Sequence, residues 1–128
     1  MMPLLAVVDD DVSVRESLES LIRSVGMAVS LFGSAEEFLN SAQPNKPDCL
    51  ILDLRMPGMS GIELHRHLVA SDFRVPVVFM TAHGYDERAR SEASSDWIVA
   101  YLNKPFSDDE LLDAVHAALR LKSNNHNR

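Results

Sequence analysis

The chain has 128 residues, with 12 Lys and Arg against 19 Asp and Glu, giving a formal net charge of −7. That length suits one domain with its own core, and the acidic balance argues against nucleic acid as a default partner, because phosphate repels a net anion. A single cysteine, Cys49, forms no internal disulfide, which fits a reducing compartment, and no apolar run approaches the roughly 20 residues that span a bilayer. The first nine residues lack a basic segment and reach Asp9 at once, so no secretory signal is expected and a cytoplasmic location is.

In chain order, the first apolar run covers residues 4–8 and ends against Asp9, Asp10 and Asp11. A helix is predicted next. Ser13 and Glu16 have capping-box spacing, and Leu18, Leu21, Ile22 and Val25 repeat at i, i+3, i+4 and i+7. A second run, 27–32, precedes Ser34 and Glu37, again at capping-box spacing. The third run, 49–52, ends on Asp53, and Ser60 with Glu63 marks the helix after it. The fourth, 75–80, is followed by Thr81. The fifth, 98–102, is followed by Lys104-Pro105, with a last helix opening at Ser107 and Glu110 and carrying Leu111, Leu112, Val115, Ala118 and Leu119.

Four of the runs are rich in Val, Ile or Leu and barely alternate, as parallel strands covered on both faces do. Strand and helix therefore alternate five times, which implies a doubly wound parallel sheet with right-handed crossovers. Residues 1–121 are read as the folded domain and 122–128 as a polar, frayed tail.

Ligands of such sheets bind outside the carboxyl ends of the strands. Asp9, Asp10, Asp53, Thr81 and Lys104 all fall there. Two unit charges about 4 Å apart repel by about 4 kcal/mol at an effective dielectric of 20, so clustered carboxylates call for a cation or raised pKa values. A hard divalent ion such as Mg²⁺ suits oxygen ligands. A carboxylate is also a nucleophile toward phosphorus, and phosphoryl transfer needs positioning and charge neutralisation that Mg²⁺, Lys104 and Thr81 supply.

The fragments Val7-Val8-Asp9-Asp10-Asp11, Asp53-Leu54-Arg55-Met56-Pro57-Gly58-Met59-Ser60-Gly61, Met80-Thr81-Ala82 and Tyr101-Leu102-Asn103-Lys104-Pro105-Phe106 resemble the receiver domain of bacterial two-component response regulators. The resemblance runs from about Leu4 to Leu121. It implies a flavodoxin-like strand order, 2-1-3-4-5, with helices on both faces. It implies that Asp53 is the phosphoacceptor and that Asp9, Asp10, Asp53 and the carbonyl of Arg55 hold Mg²⁺. Thr81 then bonds the new phosphoryl group, Lys104 pairs with it, and Tyr101 is the aromatic switch that follows Thr81 inward. A cis Lys104-Pro105 bond is expected to aim Lys104 into the site.

Arg55 and His83, two positions after the acceptor and the threonine, flank the path of attacking water in such domains. The implied partners are a sensor histidine kinase or phosphotransfer protein, and an effector protein or second copy at the family's output face of fourth helix, fifth strand and fifth helix. Neither nucleic acid nor membrane is expected as a direct partner. The resemblance implies no enzyme beyond a domain that catalyses its own Mg²⁺-dependent phosphorylation and dephosphorylation.

Other readings remain open beside this one. A phosphatase working through an aspartyl phosphate typically has a second Asp two residues after its nucleophile, where this chain has Arg55. Residues 56–68 followed by 75–84 resemble receivers of LuxR-type, nitrogen-fixation-like regulators, so an excised receiver of a DNA-binding transcriptional regulator is the alternative. A receiver that is never phosphorylated would be expected to have lost a site residue, and none is missing. Its effector is then another molecule or an absent piece of chain. Tyr101 is also compatible with packing alone.

The stretch Ser94-Ser95-Asp96-Trp97-Ile98-Val99-Ala100 lacks the small residues typical before the last strand. Trp97 either packs over the sheet end or anchors a partner. His65 and His67, two apart on a helix, point apart and are read as solvated. His83, His116 and His126 show no ligand spacing, and Cys49 reads as a small buried hydrophobe.

Overall fold

The computed structural model describes residues 2–41, 46–82 and 96–126. Five strands, β1 (Leu4–Val8), β2 (Ala28–Phe32), β3 (Cys49–Asp53), β4 (Val77–Thr81) and β5 (Ile98–Asn103), form one sheet in the order β2-β1-β3-β4-β5. Every neighbouring pair is parallel. The described helices are α1 (Val12–Ser24), α2 (Ala35–Asn40), α3 (Gly61–Ala70) and a C-terminal helix (Asp108–His126). The expected helix between β4 and β5 falls on residues outside those described.

Alternation along the strands splits the core in two. Leu5 and Val7 of β1, Ile51 of β3 and Val78 and Met80 of β4 meet Leu18 and Ile22 of α1 and Leu111 and Val115 of the C-terminal helix. Their neighbours Ala6, Val8, Leu50, Leu52 and Phe79 meet Phe38 of α2 and Leu64 and Leu68 of α3. All residues of β3 and β4 are buried, whereas the edge strands β2 and β5 are mostly half-buried. Full burial of one such aliphatic side chain stabilises by about 1.5–3 kcal/mol. Cys49 lies in this core, fully buried, and burial pushes its thiol up to about 12, so it packs as an uncharged hydrophobe.

Several boundaries differ from the apolar runs. Met27 is held outside β2 because its N–H bonds the Ile22 carbonyl at the end of α1. Pro76 has no N–H for the ladder, so β4 begins at Val77. β3 and β4 each run one residue further than their runs, through Asp53 and Thr81, which makes both polar residues part of the rigid sheet. Val25 is the C-cap of α1 and is exposed.

Ser60 and Ser107 each form both bonds of a capping box with Glu63 and Glu110. Ser34 caps α2, while Glu37 reaches back one residue further, to the Gly33 N–H. Ser13 does not cap α1. Asp11 takes that place, its carboxylate accepting the Ser13 N–H at 2.8 Å, and Ser13 sits inside the first turn. The acid wins because it adds charge near the positive helix end. At the other end the C-terminal helix continues past Leu121 to His126 rather than fraying. Lys122 ties it down, with Nζ 3.2 Å from Asp48 Oδ1 and 3.3 Å from the Pro47 carbonyl.

Candidate functional site: an acidic cluster at the carboxyl ends of the strands

The three central strands and the edge strand β5 each deliver one polar residue to the same rim. Asp9 follows β1, Asp53 ends β3, Thr81 ends β4, and Lys104 follows β5. Asp9, Asp53 and Thr81 are the buried polar residues there, at 0%, 5% and 5% exposure, while Asp10 is exposed. Lys104 Nζ lies 2.7 Å from Asp9 Oδ2 and 3.4 Å from Asp53 Oδ2, so one ammonium bridges both buried acids. The Lys104 N–H donates to the Thr81 carbonyl at 2.8 Å, which holds the lysine against the end of β4. The Lys104-Pro105 peptide is cis.

Backbone groups complete the acids. The Asp11 N–H donates to Asp9 Oδ1 at 2.9 Å, and the Arg55 N–H donates to Asp53 Oδ1 at 3.2 Å. The Arg55 side chain is exposed. The loop after Asp53 turns at Pro57-Gly58, with Gly58 at φ +77°, a conformation glycine adopts freely and side-chain-bearing residues rarely do.

Charge in this rim is unbalanced. Burial, and then the charge of Asp9, push the Asp53 carboxyl up to about 6; Lys104 and the Arg55 N–H only partly offset them. Burial opposes the Lys104 charge, but its bond to Asp9 and the charges of Asp53 and Asp9 outweigh that and hold its pKa above the usual lysine value. Oxygen atoms of Asp9, Asp10 and Asp53 all lie within 4.8 Å of one another. An all-oxygen donor set with an anion that its neighbour disfavours is a fit for a hard divalent cation.

The expected residues thus converge. Lys104 sits beside Asp53, Thr81 follows Met80, the residue paired with Asp53 across the sheet, and Tyr101 lies half-buried on β5 with its ring stacked on Phe79, centroids 5.4 Å apart. His83, Ser94 and Ser95 lie outside the described residues. Trp97 is half-buried beside His65, Val69 and Val75, and its carbonyl accepts the Val77 N–H.

His65 is a correction. It is buried, not solvated, at 4% exposure, with its ring edge-on to Phe79 at 5.8 Å and, among the described residues, no hydrogen-bond partner for either ring nitrogen. Gly61, Leu64 and Leu68, the other buried residues of α3, share its face at helical spacing, and that was the available signal.

Two contacts around the rim escape a reading by motif. Arg15 Nη1 donates to the Asp9 carbonyl at 2.7 Å. Glu36 Oε2 accepts the Met59 N–H at 3.0 Å, which ties α2 to the loop after β3 and holds the Glu36 carboxyl below its usual range.

The response regulator receiver domain family matches residues 5–116. Nodulation protein W of Bradyrhizobium diazoefficiens is 47% identical over 112 residues, which is 88% of this chain and 49% of that protein. Response regulator protein TodT of Pseudomonas putida is 43% identical over 115 residues, 90% of this chain and 50% of that one. The solved structure of the response regulator StyR superposes with a TM-score of 0.85 at 43% identity, covering 99% of this chain and 64% of its own. The chain spans about half the length of the curated relatives it matches. With the acids, the threonine and the lysine placed at one end of a 2-1-3-4-5 sheet and the family matching nearly all of it, the chain belongs to the response regulator receiver domains of two-component systems.

Proposed function

We propose that this domain accepts a phosphoryl group on Asp53 from a sensor histidine kinase or phosphotransfer protein in the cytoplasm, and that the change alters binding at its output face. The observation that carries the reading is the buried Asp53 carboxylate, bridged to Asp9 by Lys104 at the open end of the sheet. In the transfer, an Asp53 oxygen forms a bond to phosphorus as the phosphorus–nitrogen bond of a phosphohistidine breaks, its electron pair leaving on the imidazole.

Asp9, Asp10, Asp53 and the Arg55 carbonyl would hold Mg²⁺, which when bound neutralises charge on the phosphoryl oxygens. Lys104 supplies a second positive charge. The Thr81 hydroxyl donates to a phosphoryl oxygen, and its movement lets the Tyr101 ring turn inward. Phosphorylation adds about 1.5 to 2 negative charges, and the coupling to the output face is expected at about 1–3 kcal/mol. The arrangement acts on itself only; residues 1–121 are the receiver unit, and 122–128 its polar C-terminal tail.

The test is incubation with acetyl phosphate, with and without Mg²⁺, followed by mass measurement. A Mg²⁺-dependent gain of one phosphoryl group, lost in Asp53→Ala, is expected. No gain with this donor or a kinase overturns the reading. A second reading places the domain inside a longer DNA-binding regulator, favoured by the half-length match to its relatives; DNA binding by the longer chain, absent from this domain alone, is its check.

A further inference from the structure

We propose that Arg15 is a positioning residue for the cation site, acting through the Asp9–Asp10 peptide. The inference rests on the proposed metal site and adds a residue outside it. The Asp9 carbonyl belongs to the same planar unit as the Asp10 N–H, so whatever fixes that carbonyl fixes the plane that carries Asp10 Cα, and with the Asp11 N–H held on Asp9 Oδ1 it restricts the direction in which the Asp10 side chain leaves the chain. Arg15 Nη1 holds it at 2.7 Å, a short, charge-assisted bond.

The rest of the loop is held around the same point. The Asp9 N–H donates to the Phe32 carbonyl, the Asp11 N–H donates to Asp9 Oδ1, and the Asp11 carboxylate caps α1. Asp9 itself is rigid through Lys104. Asp10 is the one exposed acid of the cluster. Arg15 adds the constraint on the peptide that joins it to its buried neighbour.

Two further observations show that the guanidinium is seated. Helical side chains lean toward the N-terminus of their helix, which carries Arg15 from the first turns of α1 back over the loop. At Gly33, a Cβ would lie 3.4 Å from Arg15 Nη1 and 3.3 Å from Glu37 Oε2, so the absence of a side chain there leaves the guanidinium its place. Glu37 Oε2 in turn accepts the Gly33 N–H at 3.0 Å.

Charge and position predict opposite signs. A cation beside three acids weakens binding of a second cation by repulsion, so its loss through charge alone tightens Mg²⁺. Loss of a positioning contact loosens it. We commit to the second. Calorimetric titration with Mg²⁺ should show a roughly tenfold higher Kd for Arg15→Ala, the size expected when one charge-assisted hydrogen bond is lost. Arg15→Lys, which keeps a charged donor, should recover part of it, and Arg15→Met, which keeps neither charge nor donor, none.

Thermal unfolding without Mg²⁺ separates a general loss of stability, because the Kd is read at a temperature where each variant is folded. An Arg15→Ala Kd equal to or below that of the unsubstituted protein overturns the inference. If the unsubstituted protein itself binds no Mg²⁺, the metal site fails first, and Arg15 with it.

Discussion

Gly61 shows how tightly single residues are set around Asp53. A Cβ there would run into the Asp53 carbonyl and lie 3.1 Å from Leu54 Cα, both backbone atoms that no rotamer change can move away. The Gly61 N–H donates to the Leu54 carbonyl at 3.0 Å, so the two ends of the loop after Asp53 are stitched together. Gly61→Ala must displace the end of β3. It is expected to cost about 1–3 kcal/mol in urea unfolding and to slow phosphorylation from acetyl phosphate as well. Unchanged stability would mean that the loop yields more easily than this contact implies.

The start of α1 offers a second test of single side chains. Removal of an N-cap costs about 1 kcal/mol. Asp11→Ala should therefore destabilise by about that amount, while Ser13→Ala, inside the first turn, should cost only a few tenths. The reverse order in equilibrium unfolding would return the cap to Ser13. The spacing of Ser13 and Glu16 was a true capping-box pattern, yet the acid two residues earlier had the better geometry and charge.

At the scale of elements, the central strands were legible because burial on both faces favours unbroken apolar runs, with polar residues only at their carboxyl ends. The errors came where a rule about one residue overrode the run: Pro76 at the entry to β4, and the carbonyl that captures Met27. The rim of Asp9, Asp53, Thr81 and Lys104 was legible too, since parallel strands deliver their carboxyl ends to one side. Contacts such as Arg15 to Asp9 and Glu36 to Met59 were not, because they join different elements and leave no spacing along the chain.

His65 is the instructive miss at this scale. Its polarity suggested solvent, but α3 has only one face against the sheet, and residue 65 lies on it with Leu64 and Leu68. A buried imidazole whose two nitrogens meet no hydrogen-bond partner among the described residues costs stability. His65→Leu is expected to raise stability by about 1–3 kcal/mol at neutral pH. Since the His65 ring packs on Phe79, which stacks on Tyr101, the same variant should also change the Tyr101 fluorescence response to a phosphoryl mimic. A loss of stability in His65→Leu would show that the ring's edge contact with Phe79 outweighs its unpaired nitrogens.

For the molecule as a whole, two buried groups make stability depend on pH in opposite directions. Burial lowers the His65 pKa below its ordinary 6.5. The unfolded chain then takes a proton that the folded chain refuses, so His65 causes stability to fall as pH drops below about 6.5. Asp53 is the reverse case, an acid raised from 3.8 to about 6. Above pH 6 the folded domain holds an anion that burial and Asp9 disfavour, and that penalty disappears as pH falls through 6 toward 3.8.

In the metal-free protein, Asp53→Asn is therefore expected to raise the midpoint of thermal unfolding by several degrees at pH 8, and by little at pH 4. Mg²⁺ should erase the difference at pH 8. A cation that binds only the folded domain stabilises it by mass action, and its charge relieves the repulsion between Asp53 and Asp9. The unsubstituted protein gains from Mg²⁺, and the variant, with one anionic ligand fewer, gains less. A variant that is less stable than the unsubstituted protein at pH 8 without metal would mean that the bridge from Lys104 already outweighs the repulsion, and that the acidic rim is balanced before any cation arrives.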